Sequence, residues 1–233
     1  MKSRRVIPWE AERVYAVHDN LSEQYRILAT LGAGLGLRQG ELFGLSPDDI
    51  DFLLGKVTVQ RQVKVYGGNR LVFALPKNNK TREVALPGNV RDELAAYLAK
   101  FPAKNVTLPW GVPEGQPVAV PLIVTSREAK ALNRNYFNSS IWKPALKKPG
   151  VPTDRDDHNG MHALRHFYAS VLLDAGESIK AVKRVSGTHG PGFTLRIYTH
   201  LMPTSDERSR NAVDAVLLRS RVPDVSQVAV LGR

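Results

Sequence analysis

Apolar positions recur at helical spacing near the start of the chain: Val14, Val17 and Leu21 along one stretch, then Tyr25, Leu28 and Leu31 along a second. Pro8 and Glu10 stand where a helix would begin, and both a fixed φ and an early acid are favourable there. The run Gly32-Ala33-Gly34-Leu35-Gly36 then breaks the pattern. Its GxGxG spacing, with no strand before it, does not meet the requirements of a dinucleotide or phosphate loop, so a tight passage between packed helices is expected. From residue 50 to 86 the period shortens to two. Val57, Val59, Val63 and Val65 alternate with polar residues, Gly67-Gly68-Asn69 marks a turn, and residues 71–75 and 82–86 read as further strands. This predicts a small antiparallel sheet. Helical spacing resumes after Pro87 through Leu94, Tyr97 and Leu98. Residues 102–121 carry Pro102, Pro109, Pro113, Pro117 and Pro121, which predicts a loop and a flexible insertion. Further helices are expected over 133–146, 162–175, 179–185, 193–199 and 206–218, the last opened by a Thr204–Glu207 capping box. An apolar tail, Val225, Val228, Val230 and Leu231, closes the chain. The predicted class is α+β, mainly helical with a small antiparallel sheet.

Composition narrows the function. The chain has 233 residues, 42% hydrophobic and 24% charged, which is ordinary for a globular protein and excludes a disordered or fibrous one. No apolar run approaches the roughly 18 residues of a membrane span. Cysteine is absent, so thiolate zinc sites, iron–sulfur clusters and cysteine nucleophiles are ruled out. The basic start lacks an apolar stretch behind it, so no signal peptide is read there. The net charge of +11 changes the picture most, because a chain this basic usually meets a polyanion, and nucleic acid leads.

Three separated features carry candidate chemistry. Arg38 follows the glycine run, with Glu41 three residues on; alone this reads as a surface arginine with a local partner. His162 and Arg165, at i and i+3, share a helix face, with Leu164, Phe167, Val171 and Leu172 as the expected core stripe. His189 precedes Tyr198 by nine residues. A zinc reading of His158, His162 and His166 is weak, because Asn159-Gly160 interrupts the helical register and the ligand set is incomplete. Together, two arginines, two histidines and a tyrosine suit in-line attack on a phosphodiester. A phenol is a poor nucleophile at its free pKa of about 10 and needs a base or cationic surroundings. Arginine forks match phosphate oxygens and can stabilise a pentacoordinate state without a metal. A lysine in a hairpin can protonate the leaving 5′ oxygen. Between residues 127 and 148, Arg127, Lys130, Arg134, Lys143, Lys147 and Lys148 stand against a single acid, Glu128, a candidate contact for backbone phosphates or simply a solvated face.

Gly-Leu-Arg-x-x-Glu at residues 36–41, a hairpin lysine, His-x-x-Arg-His at 162–166 and His-x8-Tyr ending at Tyr198 occur in an order that resembles the catalytic domain of the tyrosine recombinase, or phage integrase, family. The resemblance implies an integrase-like DNA breaking-rejoining fold and cleavage of one strand through a 3′-phosphotyrosyl intermediate, with no metal and no cofactor. By position it implies Tyr198 as nucleophile, and Arg38 and Arg165 as ligands of the scissile phosphate. His162 falls on the helper of the nucleophile and His189 on a second phosphate ligand. Lys77 falls on the general acid, with Lys80 as its rival, and Glu41 becomes a structural support of the Arg38 segment. Ala163 stands where the family often has an acid, and Gly187-Thr188-His189 replaces the usual Leu-Gly-His. Implied partners are double-stranded DNA attachment sites and, in the full-length protein, a tetramer on DNA; a cytoplasmic, DNA-associated protein without a membrane segment is expected. Residues 1–203 are expected to form the catalytic domain and 204–233 a helix and tail that dock on a neighbouring protomer. Members usually carry an amino-terminal DNA-clamping domain, so a chain cut from a longer one is expected. A DNA-binding protein that keeps the fold without cleavage is the alternative.

Overall fold

The computed structural model describes residues 7–148, 160–178 and 181–182. Helix α1 (Ala11–Asn20) starts after Glu10, whose backbone is still extended, so Pro8 and Trp9 precede the helix rather than open it. Trp9 is buried and stacks parallel to Trp142, with ring centroids 6.2 Å apart. Helix α2 (Glu23–Leu35) is the central element. Ile27, Leu28, Ala29 and Leu31 are all buried, as expected of a helix covered on every side.

The glycine run does not interrupt α2. The helix continues through it and ends at Gly36, which takes the left-handed conformation at φ 61°. The expected close passage is nevertheless present, because missing side chains admit the neighbours. A Cβ on Gly32 would lie 2.7 Å from Leu164, and one on Gly34 would lie 2.5 Å from Val90. These two residues sit on helices α7 (His162–Asp174) and α4 (Gly88–Lys100) respectively.

A five-residue helix α3 (Gln39–Phe43) leads into short strands. Strands β1 (Ile50–Asp51), β2 (Lys56–Val59) and β5 (Arg82–Ala85) form an antiparallel sheet in the order β1-β2-β5, with Val57 opposite Val84 and Val59 opposite Arg82. Strands β3 (Gln62–Val65) and β4 (Leu71–Ala74) make a separate antiparallel pair. The alternation from Val57 to Val65 is therefore split between two sheets. The division falls at Gln60 and Arg61, whose side chains turn to the buried Asp49 carboxylate.

The proline-rich stretch is not a loop. Strands β6 (Lys104–Pro109) and β7 (Pro117–Leu122) form an antiparallel hairpin in which Val106 faces Val120 and Leu108 faces Val118. The prolines fit because a residue without an N–H is tolerated at strand ends and on an edge. Pro109 and Pro117 pair at the mouth of the turn. Beyond it, Gly111 N–H donates to the Phe73 carbonyl at 2.7 Å, which ties the hairpin to β4.

The helix expected over 133–146 is present in three parts: α5 (Arg134–Phe137), a π-helical turn (Asn138–Trp142) and α6 (Lys143–Leu146). Pro144 supplies the reason for the widened turn, since its ring crowds the carbonyl four residues back and it has no N–H to give. Phe137 packs edge-on against Tyr25 and Phe43, with centroids 5.7 and 5.3 Å away, so this segment is held against both α2 and α3. Helix α7 matches the expected 162–175 closely, but its buried face is rotated. Val171 is 45% exposed, whereas Arg165, His166, Ala169 and Ser170 are buried with Leu164. Gly32 and Gly36 leave room on α2 for Leu164 and Tyr168 of α7. Among the described residues, no helix is long and apolar enough to cross a membrane. The helices expected over 193–199 and 206–218, and the apolar tail, lie outside the described residues.

Candidate active site

Arg38 is the residue before the first turn of α3, and Glu41 lies three positions on. That spacing lets the Glu41 carboxylate reach back: Oε2 accepts from the Arg38 backbone N–H at 2.9 Å, and Oε1 accepts from Arg38 Nη1 at 2.9 Å. The same carboxylate accepts a second fork. Arg82, at the start of β5, donates Nη1 to Oε1 at 2.9 Å and Nη2 to Oε2 at 2.7 Å. The Glu41 side chain has no exposed surface. Burial raises the pKa of its carboxyl, but the hydrogen bonds and charge of Arg82, then the Arg38 amide and guanidinium, outweigh that and bring it down to about 2. Glu41 thus ties the Arg38 backbone and side chain to Arg82. The sequence offers Arg82 merely as one more basic residue after the Lys77 turn. The one signal in its favour is an acid that a core can accept only when well paired.

Arg165 reaches the same neighbourhood from the far end of the described chain. It is 3% exposed, and its Nη1 donates to the Gly36 carbonyl at 2.6 Å. Gly36 stands two residues before Arg38, and two residues of chain span at most about 7 Å. The two arginines are therefore neighbours in space across more than a hundred residues of sequence. The Gly36 conformation sets this contact: a Cβ there would sit 2.3 Å from Tyr168 of α7. His162 begins α7 on the exposed side, and its ring meets that of His166 edge-on at 4.7 Å. Of the weak zinc set, His158 lies outside the described residues.

Lys77 and Lys80 are both exposed, on the connection between β4 and β5. Lys77 opens a tight turn in which Asn78 and Asn79 have φ of 66° and 53°. Asparagine tolerates that region better than most residues. The geometry does not separate the two lysines. His189 and Tyr198 lie outside the described residues.

All six candidate DNA-contacting residues, Arg127, Lys130, Arg134, Lys143, Lys147 and Lys148, are exposed. Arg127 and Lys148 are brought together along one groove of about 370 Å³, which Glu128, Tyr136 and Ser140 also line. The segment is coupled to the arginine cluster, because Gln39 beside Arg38 donates Nε2 to Asn138 Oδ1 at 2.7 Å.

Comparison with known proteins adds a family. The model of the phage integrase family matches residues 4–204. A tyrosine recombinase XerC-like protein of Caldanaerobacter subterraneus subsp. tengcongensis is 30% identical over 200 residues, covering 82% of this chain and 48% of that protein. Tyrosine recombinase XerC of Mycobacterium tuberculosis strain H37Ra is 27% identical, covering 86% of this chain and 61% of its own length. The chain therefore spans about half to three-fifths of these relatives. Among solved structures, the Tn1549 transposon integrase in complex with transposon right end DNA has a TM-score of 0.69 at 16% identity, over 93% of this chain and 67% of that one. The catalytic domain of bacteriophage HP1 integrase has a TM-score of 0.54 at 14% identity, over 97% of this chain and 100% of that one. These structures share the fold.

Proposed function

The chain belongs to the phage integrase family, and on that premise we propose that it is the catalytic domain of a site-specific DNA recombinase. The observation that carries this reading is the Arg165 guanidinium bonded to the Gly36 carbonyl, beside an Arg38 held by a buried carboxylate. Among the described residues the Arg82 fork pairs with both oxygens of the Glu41 carboxylate, while Arg38 and Arg165 bring two further guanidinium groups to the Gly36–Arg38 segment. An excess of positive charge at fixed positions suits a phosphodiester that gains negative charge on attack.

In the proposed reaction the Tyr198 phenol oxygen bonds to phosphorus and the bond from phosphorus to the 5′ oxygen breaks. The phenol proton leaves with the help of His162, and the 5′ oxygen takes a proton from Lys77. Arg38, Arg165 and His189 hold the non-bridging oxygens. Attack by a 5′-hydroxyl of a partner strand reverses these steps, so rejoining needs no external energy source, metal or cofactor. The proposed partners are double-stranded attachment sites and, for the whole protein, further copies assembled as a tetramer on DNA. The relatives named above as tyrosine recombinases, and the integrase solved with transposon-end DNA, support this choice.

The test is covalent trapping. The chain is incubated with a pool of nicked duplexes of random sequence, denatured, and the protein-linked DNA is sequenced. A denaturation-resistant protein–DNA band, absent in Tyr198→Phe, is expected. DNA retained under native conditions with no covalent band would make the chain a binding module, and a band that persists in Tyr198→Phe would move the nucleophile elsewhere.

A further inference from the structure

The turn that carries Lys77 is fastened at both ends to the segment that carries Arg38. At its entry, the Leu75 carbonyl accepts from Gln62 Nε2 at 2.6 Å. Gln62 belongs to β3, which lies directly on α3: a Cβ on Gly40 would be 2.8 Å from the Val63 carbonyl, and one on Gly44 would be 3.1 Å from the Gln62 Cα. At its exit, five residues after Lys77, the Arg82 fork closes on the two oxygens of Glu41. Arg82 is only 12% exposed in its side chain, and its strand pairs with β2 rather than with β4. No strand ladder therefore joins the two feet of the turn. The entry is held to β3 by the β3–β4 ladder and the Gln62 side chain, and the exit is held to α3 by the Arg82 fork.

We propose that Arg82, seconded by Gln62, is a positioning residue that fixes the Lys77 turn relative to Arg38, so that the proton donor meets the leaving oxygen of a phosphate the arginines hold. This deepens the proposed function and rests on Lys77 as the general acid. A bidentate arginine suits the task, since its planar fork sets direction as well as distance, which a lysine at the same place does not. Displacement of a reacting group by about 1 Å can cost about 10²-fold in rate.

The experiment measures single-turnover cleavage of the trapped duplex with either an ordinary 5′ oxygen or a bridging 5′ sulfur at the scissile phosphate, the sulfur needing no proton to leave. Arg82→Gln is expected to slow the oxygen substrate by about 10²-fold and to cleave the sulfur substrate at close to the parent rate. Gln62→Leu, which changes no charge, is expected to show the same selective loss to a smaller degree. It carries the test if Arg82→Gln fails to fold by circular dichroism. Lys77→Ala serves as the reference. If sulfur rescues Lys77→Ala but neither Arg82→Gln nor Gln62→Leu, the positioning role is overturned and the general acid stands. If sulfur fails to rescue Lys77→Ala, the assignment of the acid is wrong and the positioning role falls with it.

Discussion

A carboxylate with no exposed surface persists at Glu41 because donors surround it: the amide and guanidinium of Arg38, and both terminal nitrogens of Arg82. Such a group stabilises the fold in its charged form and lends stability that depends on pH. Its pKa is depressed, from 4.5 to about 2. The contribution is therefore complete above the unfolded value near 4.5 and drains away as pH falls from there towards 2. The depression corresponds to about 3 kcal/mol. Urea midpoints of the parent chain are expected to fall steeply between pH 5 and 2.5, and those of Glu41→Gln to start lower and fall less over the same window. Parallel lines for the two proteins would mean that the carboxylate is not the titrating group. At this scale, the sequence makes Glu41 legible through its spacing from Arg38, since i and i+3 meet in one helical turn. Arg82 stays hidden, because its partner is 41 positions earlier and nothing local distinguishes it from the lysines beside it.

At the scale of elements, period and spacing identify helices well when a single neighbour covers one face, as with α4 and α7. They fail where packing overrides local preference. Glycines that look like a helix end are the surface on which α7 and α4 rest, and the helix runs through them because tertiary contact outweighs their poor propensity. The β6–β7 hairpin is masked for a related reason: its prolines occupy strand ends and an edge, where a missing N–H costs nothing. Gly36 joins this level to the site, since its left-handed backbone ends α2, admits the Tyr168 ring and offers its carbonyl to Arg165. A side chain there meets two penalties, about 1–2 kcal/mol for the backbone conformation and about 1–3 kcal/mol for the overpacking. Gly36→Ala is expected to lose about 2–5 kcal/mol by denaturant unfolding. Gly67→Ala, with open space around it, should stay within about 0.5 kcal/mol of the parent. Equal losses at both positions would remove the steric account of the α2–α7 junction.

Across the whole molecule, the net charge of +11 and the proposed phosphate site argue for the same partner, a nucleic acid, through different physics. The arginine cluster is buried or half-buried and, in the proposed reaction, holds a single phosphate, whereas Arg127 and Lys148 stand exposed along a shared groove. Exposed cations of this kind bind a duplex chiefly by releasing its counterions, without regard to sequence, and each neutralised phosphate contributes about 0.9 to the slope of log affinity against log salt. Neutralising both in Arg127→Gln/Lys148→Gln is therefore expected to make that slope about 1.8 shallower. The loss should be the same on the trapped duplex and on an unrelated one of equal length, measured by anisotropy between 50 and about 200 mM salt. The rate of cleavage at saturating protein should be unchanged, because neither residue belongs to the cluster around Arg38. A loss confined to the trapped duplex would turn the groove into a reader of base edges, and an unaltered slope would place the path of the DNA on another face.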